Sequence, residues 1–190
     1  MKLIKAILEQ IPNNIFTLAE ANTYGLTRYY IKKMVEEGIL LEVEKGVFQK
    51  EGNFENGHLI SFKAATVKLK ERSAICLWSA LSFYGLTDEV PSKVWCILPY
   101  PYGVSSVKCI RLKDPKWDIG IDKHDGFEIT SIERTIVDCF LSSKYVPVSE
   151  SFNALKKAIT TKKTSVSKIL SIANSLNSKD KILPFLEIAS

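Results

Sequence analysis

Thr17-Leu18-Ala19-Glu20-Ala21-Asn22-Thr23-Tyr24-Gly25-Leu26-Thr27-Arg28-Tyr29-Tyr30-Ile31-Lys32-Lys33-Met34-Val35-Glu36-Glu37-Gly38 reads as two helices joined by a tight turn. Thr17 is a natural N-cap with Glu20 three residues on, the spacing of a capping box. Leu18–Ala21 then gives one short helix, and Tyr24-Gly25-Leu26 the turn. Thr27 offers a second N-cap. Tyr30, Ile31, Met34 and Val35 recur as an apolar stripe, and Gly38 closes the helix at its C-terminal end. A short helix, a turn containing glycine and a longer helix make a helix-turn-helix. Two β-rich stretches follow, Ile39–Val43 and Val47–Gln49, around Glu44-Lys45-Gly46, where Lys-Gly suits a tight hairpin. A hairpin directly after a recognition helix is a wing. On the other side, Ile4, Ile7, Leu8 and Ile11 lie at helical spacing, and Pro12-Asn13-Asn14 stops that helix. Residues 1–50 are therefore expected to form a winged helix-turn-helix that binds double-stranded DNA.

In that arrangement the helix Thr27–Glu37 lies in the major groove with its first turn facing the bases. Thr27, Arg28 and Tyr29 are the exposed candidates, with Lys32 and Lys33 further along. Arg28 suits the paired acceptors of a guanine edge. Lys32, Lys33 and the wing-tip Lys45 suit phosphates, as does the helix N-terminus itself. The plainer alternative is a winged helix used for protein contacts. Three cations on one helix count against it, although residues 1–50 carry seven Lys/Arg against six Asp/Glu.

Beyond the hairpin, Gly52–Gly57 reads as a loop and Leu59–Lys70 as a connecting helix. Ser73–Phe83 is expected to be helical and to end at Gly85. Val94–Leu98 is an apolar strand, Val107–Leu112 an alternating one, and Ile119–Ile121 and Phe127–Ile129 are short strands. Thr130-Ser131 opens a helix that runs to Leu141. Lysine-rich helices follow from Ser149 to Thr160 and from Ser165 to Ser175. The expected fold is α+β, an N-terminal winged helix-turn-helix and a mixed α/β C-terminal domain with a small sheet between helices. The expected divisions are 1–50, a connecting segment 51–72, and 73–190. No internal repeat is evident.

Composition narrows the function. The chain has 190 residues, 46% hydrophobic and 25% charged, enough for a core without disulfides or metals. No run approaches the ~20 apolar residues of a membrane span, and no signal peptide is evident at the N-terminus, so a cytoplasmic protein is expected. Cys76, Cys96, Cys109 and Cys139 are widely spaced in apolar runs and read as reduced core thiols. Two histidines, His58 and His124, are too few for a clustered metal site, and no metal or cofactor is expected. Residues 141–190 carry eight lysines against three acids. Lys156, Lys157, Lys162 and Lys163 are candidates to touch DNA or a protein partner, against the plainer reading of a solvated lysine-rich face.

Catalytic signals are sparse. There is no glycine-rich phosphate loop and no Gly-x-Ser-x-Gly elbow. His124, beside Asp122 and Asp125, reads as part of a solvated turn before Gly126 rather than an acid–base pair. Glu133, Arg134 and Asp138, at the start of a mostly apolar helix, read as a buried ion pair or a helix-start cap rather than chemistry. Asp118, Asp122, Asp125 and Glu128 are close enough in sequence to keep a metal-dependent nuclease or transferase as an alternative. A ligand-responsive regulator is another. Trp78, Trp95 and Trp117 fit core or interface equally well.

Two further segments carry a resemblance. They are Ser79-Ala80-Leu81-Ser82-Phe83-Tyr84-Gly85-Leu86-Thr87 and Thr130-Ser131-Ile132-Glu133-Arg134-Thr135-Ile136-Val137-Asp138. With the winged helix before them, their order and spacing to about residue 160 resemble the AbiEi family, antitoxins of type IV abortive-infection toxin–antitoxin systems. The resemblance implies a transcriptional repressor that binds repeats in its own promoter through the winged helix. It implies a C-terminal domain that counters a nucleotidyltransferase-like toxin without stable contact. It also implies no enzymatic activity.

Overall fold

The computed structural model describes residues 2–11, 14–50, 57–69, 72–113 and 115–189, with the side chains of 2–5, 57, 58 and 189 left outside. The stop at Pro12-Asn13, the loop at 52–56, Lys70 and the His58 side chain lie outside the described residues. The chain divides into two units, Met1–Glu71 and Arg72–Ser190.

The first unit runs α1 (Lys2–Gln10), β1 (Ile15–Thr17), α2 (Leu18–Thr23), α3 (Arg28–Glu36), β2 (Leu40–Glu44), β3 (Val47–Lys50) and α4 (Gly57–Leu69). Thr17 caps α2, its hydroxyl accepting from the Glu20 amide at 3.2 Å. Both helices of the motif end in the same way. The Leu26 amide donates to Ala21 O and the Gly25 amide to Asn22 O, with Gly25 at φ +84°. The Ile39 amide donates to Met34 O and the Gly38 amide to Val35 O, with Gly38 at φ +71°. These are Schellman closures, which need a left-handed residue just past the helix and fold the next apolar residue back onto it. Leu26 is fully buried as a result. It joins Leu8, Ile11, Phe16, Ala21, Ile31, Met34, Leu40 and Phe48 in one core.

The wing is a three-stranded antiparallel sheet in the order β1-β3-β2. The sequence reading missed β1, which pairs Ile15, Phe16 and Thr17 with Gln49, Phe48 and Val47. The hairpin turns at Gly46, φ +76°, whose amide donates to Glu42 Oε1 at 2.9 Å. Helix α4 extends the expected connecting helix back to Gly57. It packs its Ala64 against Ile15 and Val47 of the sheet, and Lys68 pairs with Glu44.

The second unit holds β4 (Ala74–Ile75), α5 (Leu77–Phe83), β5 (Val94–Leu98), β6 (Val107–Arg111), β7 (Ile121–His124), β8 (Phe127–Thr130) and helices α6 (Ile132–Leu141), α7 (Val148–Thr160), α8 (Val166–Ser175) and α9 (Lys179–Ala189). The strands form one mixed sheet, β6-β5-β4-β8-β7, with β5–β6 and β4–β8 parallel. Ala74 and Ile97 from the sheet join Leu81, Ile136, Val137, Leu155, Ile169, Ala173 and Leu186 from the helices in the largest core. The fold is α+β, as the sequence indicated.

Three readings need correction. Ser73–Phe83 is not one helix. Ala74–Ile75 is a central strand between β5 and β8, and α5 begins only after it, with Leu77 in a left-handed conformation (φ +44°). Local propensity favours helix here, but strand pairing on both sides overrides it. The strand expected at Ile119–Ile121 starts at Ile121, because residues 115–120 turn instead. Helix α9 was missed, since Pro184 sits inside it and proline ordinarily ends a helix.

That turn ends in Gly120, which sits at φ +70° with its carbonyl accepting from the Ser131 amide at 2.8 Å. A Cβ there would lie 2.9 Å from Arg134 Cβ. Gly120→Ala is therefore expected to cost about 2–4 kcal/mol, from overpacking and an unfavourable left-handed backbone together. Urea denaturation would show it as a lower midpoint at unchanged slope; an unchanged midpoint would contradict the packing described.

Candidate nucleic-acid interface

Helix α3 buries one stripe and presents the other. Ile31 and Met34 face the core, while Arg28, Tyr29, Lys32 and Lys33 are exposed. Thr27 occupies the N-cap position with extended backbone, but its side chain makes no cap hydrogen bond. This corrects its expected capping role and leaves its hydroxyl on the exposed first turn. Tyr30, expected in the apolar stripe, is 37% exposed and stands edge-on to Tyr29 with ring centroids 5.6 Å apart. The stripe was assigned too widely, since a tyrosine at its margin can leave its ring in water.

Charges on the helix are partly paired. Lys32 Nζ lies 3.6 Å from Glu36 and Lys33 Nζ 4.0 Å from Glu37, both one turn on and largely exposed. Exposed pairs of this kind contribute little, so both lysines are available to a phosphate. Among the described residues, Arg28 has no ion-pair partner. Lys45 is exposed beside Gly46 at the tip of the β2–β3 hairpin. Lys50, in contrast, donates to Ile11 O at 2.5 Å, and burial lowers its pKa. The structure thus sets Arg28, Tyr29, Lys32 and Lys33 on the exposed side of α3, Thr27 at its N-cap, and Lys45 on the hairpin that follows it.

The polar residues of the Thr-Ser-x-Glu-Arg-Thr-x-x-Asp segment have structural partners. Ser131 Oγ accepts from the Arg134 amide at 3.2 Å and caps α6. The Thr130 and Thr135 hydroxyls lie 2.7 Å apart. Glu133 accepts from the Thr164 hydroxyl. Arg134, 1% exposed, donates through Nε to Asp138 Oδ1 and Oδ2 at 2.9 and 2.8 Å, and through Nη1 to Ile119 O at 2.5 Å. Desolvation pushes the Asp138 carboxyl up to about 6, with Arg134 pulling the other way. This is a buried ion pair that clamps a turn to a helix.

Other candidates are separated or occupied. His124 is the last residue of β7 and stacks on Phe127 at 5.1 Å. Asp122 interacts with the Tyr84 phenol, whose pKa burial raises; Glu128 lies 3.9 Å from Lys123. Among the described residues no group of three His, Cys, Asp or Glu is placed to hold a metal. Burial raises the thiol pKa of Cys76, Cys96 and Cys139, as suits packed, unreactive cysteines. Of the C-terminal lysines, Lys157 pairs with Asp88 at 3.4 Å and Lys163 donates to Tyr84 O. Lys156 stands over the Phe152 ring at 5.1 Å. Lys162 sits just past α7 at φ +55°. No helix among the described residues is long and apolar enough to cross a membrane.

A helix-turn-helix followed by a hairpin is a winged helix-turn-helix, and here the exposed side of its second helix carries cations. Residues 3–49 match the family model described as "Transcriptional regulator, AbiEi antitoxin", so the AbiEi resemblance is shown for the segment that builds this unit. The match supports a DNA-binding regulator role. No curated protein matches. Among solved structures, the "Crystal structure of RV2827C protein from Mycobacterium tuberculosis" is similar, with a TM-score of 0.60 at 12% identity, over 99% of this chain and 76% of that one. At that identity the likeness concerns the fold.

The raised Asp138 pKa fixes the sign of a pH effect. A carboxyl that holds its proton more tightly when folded adds stability below the ordinary carboxylate range and loses it as pH rises through about 6. Between pH 4 and pH 7, wild type should lose stability relative to Asp138→Asn. Denaturation at the two pH values measures this, and parallel behaviour of the two proteins would refute it.

Proposed function

We propose that this chain is a DNA-binding autorepressor that serves as the antitoxin of a type IV toxin–antitoxin system. The observation that carries the reading is the match of residues 3–49 to the antitoxin regulator family, on a segment whose helix α3 exposes Arg28, Lys32 and Lys33. The mechanism is occlusion. Helix α3 enters the major groove of repeats in the chain's own promoter, and polymerase is blocked. Arg28 pairs with a guanine edge, Thr27 and Tyr29 meet neighbouring base edges, and Lys32, Lys33 and Lys45 neutralise phosphates. The second unit counters a nucleotidyltransferase-like toxin by a functional rather than a stable contact. Catalysis has no part in this reading.

The roles of the C-terminal lysines are separable. Lys157 and Lys163 have partners within the unit, so Lys156 and Lys162 are the cleaner positions for charge reversal. Weaker DNA binding in Lys156→Glu with Lys162→Glu would assign them to phosphate. Intact DNA binding with lost toxin neutralisation would assign them to the antitoxin function.

The main test is fluorescence anisotropy of the full chain on its own upstream DNA, with a scrambled duplex as control. Sequence-preferring binding is expected. Arg28→Ala with Lys32→Ala should weaken it tenfold or more and make it less sensitive to salt, because a guanine contact and a phosphate contact are both lost. Equal affinity for scrambled DNA would sink the repressor reading.

A further inference from the structure

Among the described residues few large hydrophobic side chains are as open to solvent as Tyr29, which is 70% exposed. It is the second residue of α3, beside Arg28, on the first turn of the helix. Its ring is set edge-on against Tyr30 at an interplanar angle of 69°. An exposed aromatic beside Arg28 offers an apolar ring with a polar rim to whatever the first turn of α3 meets. The lysines further along α3 each have a glutamate one turn away, so the unpaired polar and apolar groups of the exposed face concentrate at its N-terminal end.

We infer that Tyr29 reads the C5-methyl group of a thymine that neighbours the guanine contacted by Arg28. The inference rests on the reading of α3 as the groove helix. The argument is chemical. Base edges in the major groove offer hydrogen-bond donors and acceptors, and the thymine methyl is the apolar group among them. Arg28 is built for paired acceptors, whereas a tyrosine ring gains most from an apolar contact. The phenol hydroxyl, at the rim of the ring, is left for water or phosphate. Tyr29 therefore supplies a second, independent element of specificity.

The test replaces thymine by deoxyuridine, one position at a time, in the upstream duplex bound by the full chain. Uracil pairs like thymine and lacks the methyl group alone. Wild type should bind about fourfold more weakly at one position per repeat, the effect of one lost methyl contact. Tyr29→Ala should lose affinity on the unmodified duplex and show no thymine preference at that position. Tyr29→Phe should keep both affinity and preference. The ring is exposed, so a thermal melt should show both variants folded like wild type. If wild type prefers the upstream duplex over a scrambled one but is indifferent to uracil at every position, the thymine inference is overturned while DNA recognition stands. If the preference persists undiminished in Tyr29→Ala, the inference is likewise overturned. If no sequence preference exists at all, the repressor reading falls, and this inference with it.

Discussion

A guanidinium keeps its charge in the interior of a protein, and much of the second unit is arranged around that fact. Arg134 is almost wholly buried, and losing a partner of a buried charge costs on the order of 3–5 kcal/mol. Its partners come from separate places. Asp138 lies one turn along α6, and Ile119 O belongs to the turn before β7. The turn can approach closely enough because Gly120 carries no side chain toward Arg134 Cβ. Capping by Ser131, the Thr130–Thr135 bond and the Glu133–Thr164 bond then fix the start of α6 against β8 and the α7–α8 connection.

The first unit achieves definition with apolar contacts and backbone closure. The two helices of its helix-turn-helix, α2 and α3, end in left-handed glycines that turn Leu26 and Ile39 back toward the core. With Ile31 and Met34 buried, the orientation of α3 about its own axis is fixed. The residues left outside are therefore determined by what is packed inside. The β1–β3–β2 sheet on one side and α4 against it complete the frame.

Legibility in the sequence followed the range of the interaction. Residues 17–50 were legible because caps, glycine closures and a hairpin glycine act over three to five residues, and the family match over 3–49 agrees with the class that they indicated. The Arg134–Asp138 pair was legible too, because an i,i+4 pair on a helix is local, whereas the Glu133 partner, Thr164, lies 31 residues away. Strands β1 and β4 were not. Three and two residues long, they have no periodicity of their own and exist through partners far along the chain. The partners of Lys157 and Lys163, 69 and 79 residues away, were invisible for the same reason. Tyr30 was misassigned because a stripe read at helical spacing does not say how far around the helix the core extends.

The Arg134 clamp also has a temporal side. Its contacts span 4 residues to Asp138 and 15 to Ile119, and the neighbouring Glu133–Thr164 bond spans 31. The entropy of closing a loop grows with the logarithm of its length. A helix as short as α6 can thus bring Arg134 and Asp138 together within its own turns, before the distant chain arrives. The guanidinium can then meet its counterion at little loop-closure cost, and the Ile119 carbonyl, farther away along the chain, holds a pair whose net charge is zero. A buried ion that would be a barrier if its partner came from afar is, by this spacing, carried inward by the segment that holds it.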